Sequence, residues 1–160
     1  MVTASASDGL DVPFNFSRVT ERLLLGSRPW TEADIAKLRA ENVTHIIDVC
    51  MDDDQPLLAT VAGISGYLWN PTPDDGRPKQ SDWFLKSVRF AMPVLAQAGW
   101  TFYVHCHDGV NRGPSTAYVI MRAQGLSHLQ AKLMICAARQ IDVFGIRYAD
   151  DADKAIHFGW

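Results

Sequence analysis

A cysteine and an arginine six positions apart could form a phosphate-handling site in this chain. Residues 105–112 read HCHDGVNR, with Cys106 near the start and Arg112 at the end. The apolar run 101–104 before them predicts a short buried strand, and residues 115–121 after them predict a helix. The cysteine would then lie at the end of a strand, followed by a short loop and by an arginine that opens a helix.

This arrangement predicts an anion site with a nucleophile at its floor. N–H groups of the loop and of the first helical turn have no partner within the helix, and the helix N-terminus adds partial positive charge. The planar guanidinium of Arg112 can hold two oxygens of one phosphate. The same field should stabilise a thiolate at Cys106, which would be aimed at phosphorus.

The pattern Cys-x5-Arg, preceded by His105 and containing Gly109, resembles the phosphate loop of the cysteine-dependent protein tyrosine phosphatases. In size the chain is similar to their compact dual-specificity branch. The resemblance implies that Cys106 is the nucleophile, that Arg112 binds phosphate and that His105 orders the loop. It implies no cofactor and no metal. The residues predicted to bind substrate besides Arg112 are His107, Asp108, Gly109, Val110 and Asn111, with His107 either a substrate contact or a residue of the rim.

An acidic turn upstream completes the resemblance. Residues 73–76 read Pro-Asp-Asp-Gly, and in the family an aspartate on such a loop, commonly after a proline, protonates the departing oxygen. The resemblance implies that Asp74 donates this proton and then acts as base on the attacking water. Asp75 is the alternative acid.

The chain departs from the family directly after the arginine. The family has Ser or Thr there, and the hydroxyl helps to stabilise the thiolate as it leaves phosphocysteine. This chain has Gly113, followed by Pro114, and its next hydroxyls are Ser115 and Thr116. We therefore expect a slow second step. The departure also leaves open a catalytically weak phosphate-binding module.

The three cysteines, at 50, 106 and 136, fit neither a disulfide framework nor a zinc site. The His-Cys-His triplet does not predict a metal either, because adjacent residues on an extended strand point to opposite faces. Cys50 ends a predicted neighbouring strand. In phosphoinositide-phosphatase relatives a cysteine at a similar strand end forms a reversible disulfide with the nucleophile. Cys50 is therefore either a redox partner of Cys106 or a small buried apolar residue.

Composition narrows the class of protein and its partners. The chain has 160 residues, 48% of them hydrophobic and 21% charged, which is typical of one globular domain. Its net charge of -3 and pI near 5.9 argue against a nucleic-acid partner. The N-terminal residues lack a signal pattern, and no apolar run is long enough to span a membrane. Together with the few scattered cysteines, this predicts a cytoplasmic protein.

The substrate prediction is a phosphorylated protein or small phosphoester. The loop interior carries no Lys or Arg, and Asp108 argues against polyphosphorylated inositides. Gly-Val-Asn-Arg also resembles the Gly-Phe-Asn-Arg loop of RNA 5′-phosphatases, which the acidic pI does not favour. We predict hydrolysis of protein phosphotyrosine through phosphocysteine, with phosphoserine and phosphothreonine left open. The alternatives are the phosphate-binding module and an RNA 5′-phosphatase.

Alternating strand and helix patterns predict the fold. We expect a loose tail over residues 1–13 and one domain over 14–160, with a central, mostly parallel sheet of four to five strands and helices on both faces. Strands are predicted within 14–25, as an edge strand strongest at 23–25, and over 43–49, 66–69 and 101–104. Helices are predicted at 32–42, after a capping box of Thr31 and Asp34, and at 57–62, 83–98, 112–124, 129–140 and 148–158. Ser81 or Asp82 should cap the helix over 83–98, and Pro93 should kink or break it.

Overall fold

Short runs rich in β-branched, aromatic and leucine side chains form one five-stranded sheet. The computed structural model describes residues 12–51, 63–142 and 145–160. The strands within these ranges are β1 (Phe16–Thr20), β2 (Leu23–Gly26), β3 (His45–Asp48), β4 (Gly66–Trp69) and β5 (Phe102–His105). Their order in the sheet is β1-β2-β5-β3-β4, with β1 antiparallel to β2 and the other pairs parallel. The prediction of a mostly parallel sheet is confirmed.

The prediction of a single edge strand within 14–25 is wrong. That segment forms two strands, and β2, where the prediction was strongest, lies inside the sheet between β1 and β5. Leu23, Leu24 and Leu25 are all buried, as is typical of a strand covered on both faces rather than one at an edge. The edge position belongs to β1, where Arg18 is exposed.

The helices of the described residues are α1 (Glu32–Ala40), α2 (Ser81–Leu95), α3 (Arg112–Ala123), α4 (His128–Arg139) and α5 (Ala149–Gly159). The capping box of Thr31 and Asp34 at α1 is confirmed, and α4 begins with a second one, of Ser127 and Gln130. The helix predicted over 57–62 lies outside the described residues. In this part of the chain no helix has the length and apolar character needed to cross a membrane.

The predicted cap and end of α2 are wrong. The N-cap residue is Gln80, and its side chain makes no capping hydrogen bond, so neither Ser81 nor Asp82 takes that position. The helix passes through Pro93 and ends at Leu95, before the predicted end at Ala98. Proline has no N–H to donate to the preceding turn, so the helix is weakened close to where it stops.

Helices cover both faces of the sheet, as predicted. On one face, α2, α3, α4 and α5 pack over Phe102 and Val104 of β5. On the other face, α1 places Ile35 and Leu38 against Tyr103, the residue between them. Because β5 is buried from both sides and paired with β2 and β3, the position of its carboxyl end is fixed by the core.

Replacing Ile47 with alanine should destabilise the protein. This side chain is fully buried in β3, between β5 and β4, and its truncation leaves a cavity that costs about 2–5 kcal/mol. Urea unfolding would measure the loss. Leu129→Ala, at a position of α4 that is 55% exposed, is the matched control and should change stability by less than about 0.5 kcal/mol. Equal losses for the two variants would contradict the assigned core.

Candidate active site

The loop between β5 and α3 lies at the carboxyl end of the central strand, where sheets of this kind bind ligands. Cys106 begins the loop and is 1% exposed. The backbone N–H of Gly109 donates a hydrogen bond to the Cys106 sulfur, with N and Sγ 3.3 Å apart. An amide N–H directed at sulfur can donate to negative charge that develops on that atom during a reaction.

Arg112 opens α3 and is buried beside this loop. Its Nη1 donates to the carbonyl oxygen of Thr72 at 3.0 Å, which fixes the guanidinium against the acidic loop upstream. Its Nε is buried and has no hydrogen-bond partner among the described residues. A buried N–H group gains considerably from an acceptor, so this edge of the guanidinium can bind a phosphate oxygen.

The backbone at Gly109 takes a conformation that requires glycine. Its φ is +78°, and a Cβ there would lie 2.5 Å from Nη2 of Arg139 and 2.7 Å from the carbonyl carbon of Gly26. The left-handed turn directs the Gly109 N–H at sulfur while its carbonyl points away. The loop therefore fits between β2 and α4 only without a side chain at this position.

Arg139, at the end of α4, holds the outer side of the loop. Its Nε donates to the Gly109 carbonyl at 3.1 Å and its Nη2 to the Asp108 carbonyl at 3.1 Å. The same guanidinium contacts Asn15 Oδ1 at 2.8 Å and Ser17 Oγ at 3.3 Å. Sequence reasoning missed Arg139, because a cation in the last turn of a helix is ordinary and its partners lie far away in the chain.

His105 lies entirely in the interior, beneath the loop. Its Nδ1 is 3.1 Å from the Cys106 carbonyl oxygen, so this nitrogen carries the proton and donates. Its ring stacks on Tyr103, with centroids 5.6 Å apart. Burial lowers the pKa of His105, the nearby Asp48 carboxylate opposing the shift, and the ring is therefore neutral. These contacts support the ordering role implied by the resemblance, which stays a prediction.

Cys50 lies close to this histidine, with its sulfur 3.8 Å from His105 Nδ1. Burial and the Asp48 carboxylate raise the pKa of Cys50, so it is a thiol at neutral pH. Ligand atoms of Asp48, Cys50 and His105 lie within 4.8 Å of one another. Hydrogen bonds already engage both carboxylate oxygens of Asp48, from the Cys50 N–H and from the Tyr67 hydroxyl. Redox pairing of Cys50 with Cys106 stays a prediction.

Asp74 contacts the loop, whereas Asp75 contacts residues that follow it in its own segment. Oδ2 of Asp74 accepts a hydrogen bond from Asn111 Nδ2 at 3.0 Å. Oδ1 of Asp75 instead accepts from the Arg77 N–H and from Lys79 Nζ, each at 3.0 Å, and these contacts lower the pKa of Asp75. Of the two candidate acids, the structure brings Asp74 against the predicted site.

A second group of side chains borders the loop on the side of β2. The Arg28 N–H donates to the His107 carbonyl at 3.0 Å, and the His107 ring meets Trp30 edge-on, with centroids 5.6 Å apart. The Arg28 guanidinium lies 4.7 Å from the centre of the Trp30 ring. Val110 on the loop and Trp30 are both partly exposed. Trp30 is a further residue that sequence reasoning missed.

The carboxylate of Asp108 turns back onto the loop instead of facing outward. Its Oδ1 accepts from the Val110 N–H at 3.2 Å and lies 4.0 Å from the Cys106 sulfur. Such an Asx-type contact stabilises the turn and places the Asp108 carboxyl group near the Cys106 sulfur.

The residue after the arginine lies directly beside the Cys106 sulfur. A Cβ at Gly113 would be 3.2 Å from the Cys106 sulfur and 3.0 Å from Cδ1 of Leu25. The nearby hydroxyls of Ser115 and Thr116 both donate to the Arg112 carbonyl at 2.9 Å. Their protons are therefore engaged within α3 and do not replace the hydroxyl that Gly113 lacks.

Comparison of the sequence with protein-family models finds no match, and no curated protein matches it. Solved structures, in contrast, do match this chain. PTPMT1 matches with a TM-score of 0.69 at 20% identity, over 89% of this chain and 97% of that one, and has also been solved in complex with PI(5)P. Human DUSP28 matches with a TM-score of 0.69 at 21% identity, over 91% of this chain and 93% of that one. Human tyrosine phosphatase-like serine/threonine/tyrosine-interacting protein matches with a TM-score of 0.68 at 18% identity, over 90% of this chain and 98% of that one.

This chain therefore has the fold of the cysteine-dependent protein tyrosine phosphatases. It matches DUSP28 and the tyrosine phosphatase-like protein over nearly their whole length. The resemblance inferred from residues 105–112 is confirmed at the level of the fold.

Replacing Gly109 with alanine should weaken binding of inorganic phosphate by at least about tenfold. The new methyl group would collide with Arg139 and Gly26 and turn the Gly109 N–H away from the site. Isothermal calorimetry with phosphate would measure the effect. Gly99→Ala is the matched control, since Gly99 also has a positive φ, of +86°, but no atom within 4 Å of the added methyl. Phosphate affinity unchanged in Gly109→Ala would show that this turn does not shape the anion site.

Proposed function

We propose that this protein is a phosphatase that hydrolyses phosphomonoesters through a phosphocysteine at Cys106, within one catalytic domain over residues 14–160. The observation that carries the proposal is the hydrogen bond of Asp74 to Asn111. It joins a carboxyl group to the same loop that holds a buried cysteine and a buried arginine. This contact supports the proposed roles of Cys106 as nucleophile, Arg112 as anion-binding group and Asp74 as proton carrier.

In the first step, the Cys106 thiolate attacks phosphorus and forms an S–P bond as the ester P–O bond breaks. Asp74 gives its proton to the departing oxygen, so the alcohol or phenol leaves neutral. Nε of Arg112 and the loop amides bind the equatorial phosphate oxygens, on which negative charge is held in the transition state.

In the second step, water attacks the phosphorus of phosphocysteine. The Asp74 carboxylate takes a proton from this water, the S–P bond breaks, and its electron pair returns to sulfur as the thiolate. Inorganic phosphate leaves. The sum is ester plus water giving alcohol plus phosphate, and no metal or cofactor enters either step.

Protein phosphotyrosine is the substrate class that we propose, with phosphoserine and phosphothreonine as further substrates. Trp30 and Val110 offer apolar surface beside the loop for an aromatic ring. The loop carries Asp108 where a polyphosphorylated inositide would bring more negative charge. The net charge of -3 likewise disfavours an RNA end. PTPMT1 binds PI(5)P in its solved complex, so PI(5)P belongs in the substrate panel.

A catalytically weak phosphate-binding module is the second candidate, and Gly113 is the observation that favours it. No hydroxyl follows the arginine, and Ser115 and Thr116 are engaged with the Arg112 carbonyl. A protein of this type would bind a phosphorylated partner and release phosphate slowly.

Cys106→Ser should abolish hydrolysis of an aryl phosphate, because serine does not replace the thiolate as nucleophile. Asp74→Asn should lower kcat by about 100-fold or more, since the departing oxygen loses its proton donor. Asp75→Asn should change kcat by less than about twofold, because that carboxylate pairs with Lys79. Steady-state assays with a chelator present would measure all three.

The outcomes of this series separate the candidates. If Asp75→Asn loses activity and Asp74→Asn keeps it, the proton donor is Asp75 rather than Asp74. A wild type that binds aryl phosphate without turnover would establish the binding module instead.

Gly113→Ser should accelerate the second step. In the wild type we expect a pre-steady-state burst of phenol, since the leaving thiolate has no hydroxyl partner at position 113. A serine would place its hydroxyl beside the Cys106 sulfur, remove the burst and raise kcat by about tenfold, as expected for a hydrogen bond to a charged group. Rapid-quench kinetics would measure the burst.

Gly113→Ala is the matched control, because it adds the same Cβ against Leu25 without the hydroxyl. If the wild type shows no burst and the serine variant behaves like the alanine variant, the hydroxyl missing at position 113 does not limit the second step.

A further inference from the structure

A buried tyrosine just before α5 contacts the proposed acid. Tyr148 is 2% exposed. Its hydroxyl donates to Asp74 Oδ1 at 2.9 Å and accepts from the Gly76 N–H at 3.0 Å. One side chain therefore contacts both the carboxyl group and the backbone of the loop that carries it.

Neighbouring residues strengthen this connection. Arg147 Nη1 lies 3.5 Å from the same Oδ1 of Asp74. The N–H of Lys79 donates to Oδ2 of Asp151 in the first turn of α5 at 3.0 Å, and its Nζ lies 4.9 Å from the centre of the Tyr148 ring. The loop over residues 73–79 is thus fastened to the start of α5 near both of its ends.

The two oxygens of Asp74 have different surroundings. Oδ2 faces the phosphate loop through Asn111, whereas Oδ1 faces Tyr148. A carboxyl group held from one side presents its other oxygen in a fixed direction. General acid catalysis depends strongly on such placement, because a shift of about 1 Å in a reacting group can cost about 100-fold in rate.

We infer that Tyr148 is a positioning residue that directs Asp74 toward the departing oxygen, with Arg147 as a secondary contact to the same carboxyl oxygen. The inference rests on the proposed phosphatase function. Tyr148 does not touch the phosphate site in this arrangement; it acts through Asp74. Burial and the Asp74 carboxylate raise the pKa of Tyr148, the Gly76 amide opposing the shift, and its hydroxyl is therefore a donor at neutral pH.

Tyr148→Phe tests the inference, because it keeps the ring packing and removes both hydrogen bonds of the hydroxyl. Two substrates with different leaving groups then distinguish a positioning role from general damage to the fold. Phenolate needs a proton to depart, whereas 2,4-dinitrophenolate does not. We expect kcat/KM to fall about tenfold for phenyl phosphate and less than about twofold for 2,4-dinitrophenyl phosphate.

A double-mutant cycle with Asp74→Asn adds a second readout. If the tyrosine acts only through the acid, Tyr148→Phe should cause no further loss once Asp74 is asparagine. Tyr118→Phe is the matched control. Tyr118 is also buried, and its hydroxyl donates to Asp153 of α5 at 2.7 Å, away from the loop over 73–79. It should leave the ratio of the two substrates unchanged.

Several results would overturn the inference. Equal losses for both substrates would mean that Tyr148 merely stabilises the fold, and so would additive effects with Asp74→Asn. If Tyr148→Phe loses no activity toward phenyl phosphate while the wild type is active, Tyr148 has no positioning role and the proposed function still stands. A wild type that turns over neither substrate would overturn the proposed function and this inference with it.

Discussion

A loop that leaves the sheet at the end of a strand must pair its backbone carbonyls outside the sheet, and the rest of this structure depends on how the loop after Cys106 does so. Four consecutive carbonyls, of residues 106–109, each have a donor. His105 supplies the first through Nδ1, the Arg28 N–H the second, and Arg139 the last two. A buried carbonyl without a donor would cost about 1–3 kcal/mol, so these partners determine whether the loop keeps this conformation.

These donors come from widely separated parts of the chain, and the sheet explains how they meet. Arg28 follows β2 and His105 ends β5, and these two strands are neighbours. Arg139 reaches the loop from the end of α4 and also contacts Ser17 of β1. The order β1-β2-β5 therefore places all the donors around one strand end. A fold with another strand order would leave the same loop sequence without them.

The sequence predicted the parts of this molecule that depend on neighbours along the chain. The strand, loop and helix around Cys106 and the capping box at Thr31 are local patterns, and the parallel sheet follows from their alternation. The predicted edge position of β2 is wrong, because its three consecutive leucines show no alternation that would indicate which faces are covered. Sequence reasoning missed Arg139 and Tyr148, since their partners lie at least 30 positions away and each residue is unremarkable in its own segment.

The Cys106 sulfur has two proposed roles, as nucleophile and as leaving group. The Gly109 amide and the N-terminus of α3 face this sulfur in both roles. As a leaving group it must accept the electron pair of the S–P bond while Asp108 lies 4.0 Å away and Gly113 offers no hydroxyl. Attack on phosphorus uses an electron pair of sulfur, whereas release of phosphate returns that pair to sulfur, so a donor missing at position 113 is missed in the release step. This asymmetry is why the second step, rather than the first, should limit turnover in this chain.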